Sequence, residues 1–77
     1  MKILPLTKLD ANQTGTINEI QGGRRLVARL NALGVIPGKR ITKISSMMMR
    51  GPVVFRVNNT EVAIGFGMAS RVMVELN

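Results

Sequence analysis

The sequence contains no cysteine, histidine, tyrosine or tryptophan, and it has only four acidic residues. These residue types supply most of the general bases, nucleophiles and proton shuttles that enzymes use. The four carboxylates stand singly, at Asp10, Glu19, Glu61 and Glu75, and no serine has a histidine to activate it. We therefore expect no catalytic residue and no enzymatic activity.

The same shortages argue against a metal or cofactor site. Ferrous iron favours imidazole and carboxylate ligands, but imidazole is missing and no two acidic residues lie within four positions of each other. Folding could still bring Glu19 and Glu61 together to form a metal site. A carboxylate on a protein surface more commonly stands alone, without a metal ion. The glycine-rich phosphate-binding motifs G-x-x-x-x-G-K-[ST] and G-x-G-x-x-G are absent. We expect no metal ligands and no bound cofactor.

Disulfides and long apolar segments are missing too. A chain without cysteine has no disulfide framework, which suits a reducing cytoplasm. No apolar run approaches the roughly 18 residues of a membrane span, and the opening M-K-I-L-P-L is too short for a signal peptide. We expect residues 1–77 to form a single cytoplasmic domain with a small core.

Basic residues are what the sequence has in excess, with eleven Lys and Arg and a formal net charge of +7. This excess indicates a nucleic acid, an anionic membrane surface or an acidic protein as partner, or else a solvated surface without a specific ligand. The aromatic residues are Phe55 and Phe66, both expected inside, so the stacking platform of single-strand binders is missing. We expect no nucleic acid partner, with RNA binding by a basic barrel as the alternative.

The stretch 24–38 predicts an amphipathic helix with a defined end. Leu26, Leu30 and Leu33 recur at i, i+4 and i+7, so they should form one stripe that packs into the core. Gly34 follows where a residue with positive φ would terminate the helix. The helix is thus expected to end at Leu33.

Turn residues mark the next boundaries. Pro37 and Gly38 suit the central positions of a type II turn, because proline presets the first φ and glycine accepts the positive second one. Asn58 and Asn59 tolerate positive φ and suit a two-residue hairpin. A bulge near Lys43 would reconcile the irregular spacing of the isoleucines around it.

Strands are predicted between these turns, at residues 14–20, 40–48, 53–57, 60–64 and 72–76. Pro5 limits the segment from Leu4 to Leu9 to a sheet edge or a turn, and residues 68–71 are long enough for one helical turn. The predicted fold class is mostly β with one inserted helix. About five short strands in so short a chain are best closed into a small SH3-like β-barrel.

The segment Arg29-Leu30-x-x-Leu33-Gly34-Val35-x-Pro37-Gly38 resembles the hallmark of the ferrous iron transport protein A family, FeoA. The resemblance covers nearly the whole chain, through Leu6-x-x-Leu9, Gly51-Pro52, Ala63-Ile64-Gly65 and Ala69-x-x-Val72-x-Val74. Asn12 departs from it, since many members have glycine there, but asparagine also accepts a left-handed φ. The domain is also similar to the C-terminal domain of iron-dependent repressors of the diphtheria toxin repressor type.

This resemblance implies a non-enzymatic cytoplasmic accessory protein of bacterial ferrous iron uptake. The implied partner is the large membrane permease FeoB, whose cytoplasmic end carries a GTP-binding domain. The protein would reach the inner face of the cell membrane through that partner. The similarity to repressors implies an alternative, a metal-dependent regulator module, with transition metal binding as a family-level property.

The candidates for contact with a partner are helix arginines and a methionine cluster: Arg24, Arg25, Arg29, Met47, Met48 and Met49. The arginines form either an ordinary solvated helix face or a contact with acidic groups. The methionines lie at a predicted hairpin tip and cannot all face inward, because a strand alternates faces. They form either an adaptable protein interface or padding of a thin core.

Overall fold

The computed structural model describes residues 2–45 and 51–76. The elements in this part of the chain are, in order, β1 (Lys2–Pro5), a 3-10 turn (Leu6–Lys8), β2 (Thr14–Ile20), α1 (Arg24–Ala32), β3 (Arg40–Ser45), β4 (Val53–Val57), β5 (Thr60–Ile64), α2 (Phe66–Ala69) and β6 (Val72–Leu76). The strands form one sheet in the order β1-β6-β2-β3-β4-β5, and all neighbours are antiparallel. The mostly β fold class with an inserted helix, predicted from the sequence, is confirmed, whereas the predicted closure into a barrel is not seen in the strand pairings of the described residues.

The described part of the chain differs from the prediction in two elements. It contains six strands rather than about five, because Lys2–Pro5 adds β1 to the edge of the sheet beside β6. Pro5 ends this outer strand, and an edge strand is where a sheet tolerates proline. The short helix α2 begins at Phe66, earlier than the predicted 68–71, because Gly65 is extended and its carbonyl accepts the N–H of Ala69 at 3.0 Å.

The core is built from apolar residues of the inward strand faces, the 3-10 turn and the two helices: Leu6, Leu9, Ile17, Leu30, Val35, Ile41, Val53, Phe55, Val57, Ile64, Ala69, Val72 and Val74. Leu30 is fully buried and Leu26 is half-buried against the core. The prediction that Leu33 completes this stripe is wrong, since its side chain is 39% exposed. The helix ends at Ala32, and the fully buried residue beyond that end is Val35.

The end of α1 has the hydrogen bonds of a Schellman motif. The N–H of Val35 donates to the carbonyl of Leu30 at 2.9 Å, and the N–H of Gly34 donates to the carbonyl of Asn31 at 3.0 Å. Gly34 has a φ of 95°, which confirms its predicted role, because side chains with a Cβ rarely adopt this region. Leu30 and Val35 are both buried, as the apolar contact of this motif requires.

The predicted turns are also confirmed. Gly38 has a φ of 95°, and the N–H of Lys39 closes the Pro37 and Gly38 turn on the carbonyl of Ile36 at 3.1 Å. Asn58 and Asn59 have φ values of 54° and 61° and connect β4 to β5. The chain therefore reverses where the local conformational preferences of proline, glycine and asparagine favour it.

Strand β3 contains a buried lysine that the sequence analysis did not anticipate. Lys43 is 2% exposed, and its ammonium donates to the carbonyl oxygens of Thr7 at 3.0 Å and Leu9 at 2.7 Å. Lys43 follows Ile41 by two positions on the inward face, and the predicted bulge lies just after it, between Lys43 and Ser45. Side chains alternate between the two faces of a strand, so the inward position of Ile41 could have predicted the inward position of Lys43. Through these two hydrogen bonds, Lys43 joins β3 to the 3-10 turn and to the residue that follows it.

Burial lowers the pKa of the Lys43 ammonium below its ordinary value of 10.5, and the negative charge of Asp10 opposes part of this shift. Desolvation disfavours the charged form of a buried amine. Between the lowered value and 10.5, the unfolded chain therefore binds more protons than the folded protein. The contribution of Lys43 to the free energy of unfolding should rise as the pH rises through that window.

The Lys43→Met variant tests this arrangement. At neutral pH we expect it to lose about 1–3 kcal/mol of unfolding free energy, because two carbonyl oxygens lose their donor. The difference between wild type and variant, measured by urea denaturation, should grow between neutral pH and pH ~10. Lys39→Met, at an exposed position of the adjoining turn, is the control and should stay within ~0.5 kcal/mol. A difference that is small and independent of pH would contradict the role given to Lys43.

Candidate functional site

Helix α1 begins with an unusually positive first turn. Gly23 is the N-cap residue and makes no side-chain capping bond, and the first turn contains no acidic residue. Instead, Arg24 and Arg25 open the helix, although its dipole favours negative charge at this end. This end of α1 is therefore an anion-attracting part of the surface.

Two of the predicted arginines line a cleft. Arg25, Leu26 and Arg29 are the described residues around an open cavity of about 410 Å³. Leu26 is half-buried and packs against the core, so it supplies an apolar wall between two exposed cations. The only salt bridge within residues 2–45 and 51–76 joins Arg56 to Glu61 at 3.8 Å. Arg25 and Arg29 therefore face the cleft without a carboxylate partner from this part of the chain.

The third predicted arginine lies on another side of the helix. At about 100° per residue, Arg24 is rotated by about 100° from Arg25 and by about 140° from Arg29. It is not among the described residues that line the cleft. The methionine half of the predicted partner surface, Met47, Met48 and Met49, lies outside the described residues.

The carboxylates do not assemble into a ligand set in the described part of the chain. No group of three or more His, Cys, Asp or Glu side chains that could hold a metal ion is found there. Glu19 accepts a hydrogen bond from the side-chain amide of Gln21 at 3.2 Å, whereas Glu61 pairs with Arg56. Glu19 and Glu61 lie on β2 and β5, which are separated by two strands in the sheet order. Among the described residues, these carboxylates therefore stand apart from one another, and the absence of a metal site stays a prediction.

Comparison with models of protein families shows which family the chain belongs to. The family model of the FeoA domain matches residues 4–76, nearly the whole sequence. This chain belongs to the FeoA family. Membership implies a role in ferrous iron transport, and the family is one of small accessory domains rather than a known class of enzyme. No helix of the described residues is long and apolar enough to cross a membrane.

Solved structures agree with the FeoA assignment. A crystal structure of an iron uptake regulatory protein, FeoA, has 33% sequence identity and a TM-score of 0.88, and the match covers 97% of each chain. Iron(II) transport protein A from Clostridium thermocellum has 20% identity and a TM-score of 0.88, covering 95% of this chain and 45% of that one. Comparison with curated protein sequences gave no match.

The similarity to metal-dependent repressors is also confirmed at the level of the fold. IdeR from T. acidophilum has 24% identity and a TM-score of 0.86, covering all of this chain but 35% of that one. At this identity the likeness shows a shared SH3-like fold.

Proposed function

We propose that this protein is a non-enzymatic accessory subunit of bacterial ferrous iron uptake that docks on a FeoB-type permease and modulates its transport. Residues 1–77 act as one cytoplasmic domain, which reaches the inner face of the membrane through the permease. Membership of the FeoA family supports the pathway. The observation that supports docking is the cleft with two arginines that have no carboxylate partner among the described residues.

The chemistry of the described residues supports a binding role rather than a catalytic one. The four carboxylates are single, and the chain has no histidine or cysteine to act as a base or nucleophile. Any GTP hydrolysis in the complex therefore belongs to the GTP-binding domain of the permease. The alternatives, RNA binding by a basic barrel or a metal-dependent regulator module, have support only from charge and fold.

Two measurements test the proposal together. Full-length permease in nanodiscs should retain the purified protein, and cells that lack the protein should take up anaerobic ⁵⁵Fe(II) at an altered rate. The amount of permease in the membrane must be equal in both strains, so that the rate reports modulation rather than expression. Unchanged uptake together with no retention would contradict the proposal. Retention by RNA instead, with a steep salt dependence, would favour the RNA-binding barrel.

A further inference from the structure

We infer that one side of α1, formed by Arg25, Arg29 and Leu33, is an elongated docking surface for an acidic protein segment that also carries an apolar side chain. We name these three residues the Arg25–Leu33 stripe. The inference rests on the proposed function, which identifies the partner as the permease. It adds which surface of this protein makes the contact and what kind of permease segment binds there. It differs from the surface expected from the sequence, which included Arg24 and placed the apolar part at the methionines.

Helical geometry aligns the three residues. They are spaced at i, i+4 and i+8, so each is rotated by only about 40° from the one before. The rise of about 1.5 Å per residue makes the stripe about 12 Å long. Leu26 borders it on the side of the core and forms the apolar wall of the cleft between the arginines. The stripe is thus cationic near the start of α1 and apolar at its end.

The cationic half is suited to carboxylates. Arg25 and Arg29 are exposed, and neither has an ion pair in the described part of the chain. A guanidinium group binds a carboxylate through two parallel hydrogen bonds, which gives orientation as well as attraction. Two arginines one helical turn apart therefore fit two acidic side chains on one face of a partner segment.

The apolar half is held on a rigid backbone. Leu33, the C-cap residue just after α1, is 39% exposed although Leu30, three positions before it, is fully buried. Its backbone is fixed by the Schellman hydrogen bonds of Gly34 and Val35. Ile36, one turn further along the chain, is equally exposed at 39%. An apolar side chain presented on an ordered turn can be covered by a partner with little ordering cost.

A protein segment is a better occupant than a phosphate-rich surface. The cleft of about 410 Å³ is open but concave, whereas a membrane surface is flat. Nucleic acid backbones and lipid headgroups would engage the arginines but would leave Leu33 without an apolar partner. An acidic segment with one apolar side chain can pair its carboxylates with the arginines and cover Leu33 with its apolar side chain. Many protein interfaces combine an apolar contact with charged groups beside it in this way.

The test measures binding of the full-length chain to the full-length permease in nanodiscs of uncharged lipid. Arg25→Glu with Arg29→Glu should weaken binding by at least roughly tenfold, and Leu33→Ser by roughly threefold or more. Lys2→Glu with Lys8→Glu, two exposed lysines outside α1, and Ile3→Ser, an exposed isoleucine on β1, are matched controls and should stay within about twofold. Thermal unfolding must show that every variant is folded, and Arg25→Gln with Arg29→Gln replaces the charge reversal if that variant unfolds.

The outcomes separate the inference from the proposed function. If the wild type does not bind, the proposed function is wrong and this inference, which rests on it, falls with it. If the wild type binds but the stripe variants bind as well as the controls, only the inference is overturned. Rising salt should weaken the wild type more than the double arginine variant. Binding that requires anionic phosphatidylglycerol vesicles, and that Leu33→Ser leaves unchanged, would overturn the inference in favour of a membrane contact.

Discussion

Replacing Leu30 with alanine should lower the free energy of unfolding by about 2–5 kcal/mol. Leu30 is fully buried, and its carbonyl also accepts the hydrogen bond that closes the end of α1. The substitution removes the apolar side chain that anchors the helix to the sheet and leaves a cavity beneath it. Because small domains have only about 5–15 kcal/mol of stability, this is a large fraction of the total.

Leu33→Ala is the matched control for this prediction. It removes the same atoms, but from the C-cap residue just after α1, at a position that is 39% exposed. We expect a smaller cost, about 0.5–1.5 kcal/mol, because more than a third of Leu33 is already in contact with water and its removal leaves no closed cavity. Urea denaturation of both variants provides the measurement. Equal losses in the two variants would mean that α1 does not depend on Leu30 for its attachment.

Gly15→Ala should destabilise the protein by about 1–3 kcal/mol or more, although it adds one methyl group to a strand. Gly15 lies on β2 opposite β6, and a Cβ at this position would stand 2.5 Å from Cγ1 of Val74 and 2.6 Å from the backbone oxygen of Glu75. The backbone atom cannot move without displacing β6. The substitution therefore strains the pairing of β2 with β6 near the middle of the sheet.

Gly67→Ala is the control for Gly15. Gly67 lies inside α2, and a Cβ there would meet nothing within 4 Å. Alanine has the higher helix propensity, so this variant should be neutral or more stable by up to about 1 kcal/mol. Thermal and urea unfolding of both variants would show the contrast. A Gly15→Ala variant as stable as wild type would mean that β6 lies further from β2 than the structure places it.

The Leu30 prediction concerns the support of the docking surface. Leu30 and Val35 hold the inner side of α1 and its terminal turn, and the Arg25–Leu33 stripe lies on the outer side of the same helix. A loss of partner binding in the Leu30→Ala variant would therefore report displacement of the helix. The exposed stripe variants change the contact without changing this support.

Features that depend on neighbouring residues in the chain could be predicted from the sequence. The positive φ of Gly34 and Gly38, and the turn at Asn58 and Asn59, follow from what each residue type allows its own backbone to do. The end of β2 at Ile20 follows from Gly22 and Gly23 just beyond it. The family hallmark is likewise a contiguous pattern, so family membership was accessible before any fold was known.

Features that depend on distant parts of the chain were decided by the tertiary structure. The leucine spacing identified a buried side of α1 but not how far the core extends along it, and Leu33 lies beyond that limit. Lys43 can be buried because its ammonium donates hydrogen bonds to the carbonyl oxygens of Thr7 and Leu9, which are more than thirty residues away in the sequence. The close approach of β6 makes the absence of a side chain at Gly15 necessary.

The candidate site shows the same division. The sequence alone identified three arginines on a helix, and helical periodicity already separated Arg24 from Arg29, but it did not show a cleft. Packing of Leu26 and Leu30 against the sheet sets the rotation of α1, and this rotation places Arg25 and Arg29 on the cleft and Arg24 on another side. Local conformational preference thus determined where the helix begins and ends. Burial of apolar surface against distant strands decided which of its side chains a partner can reach.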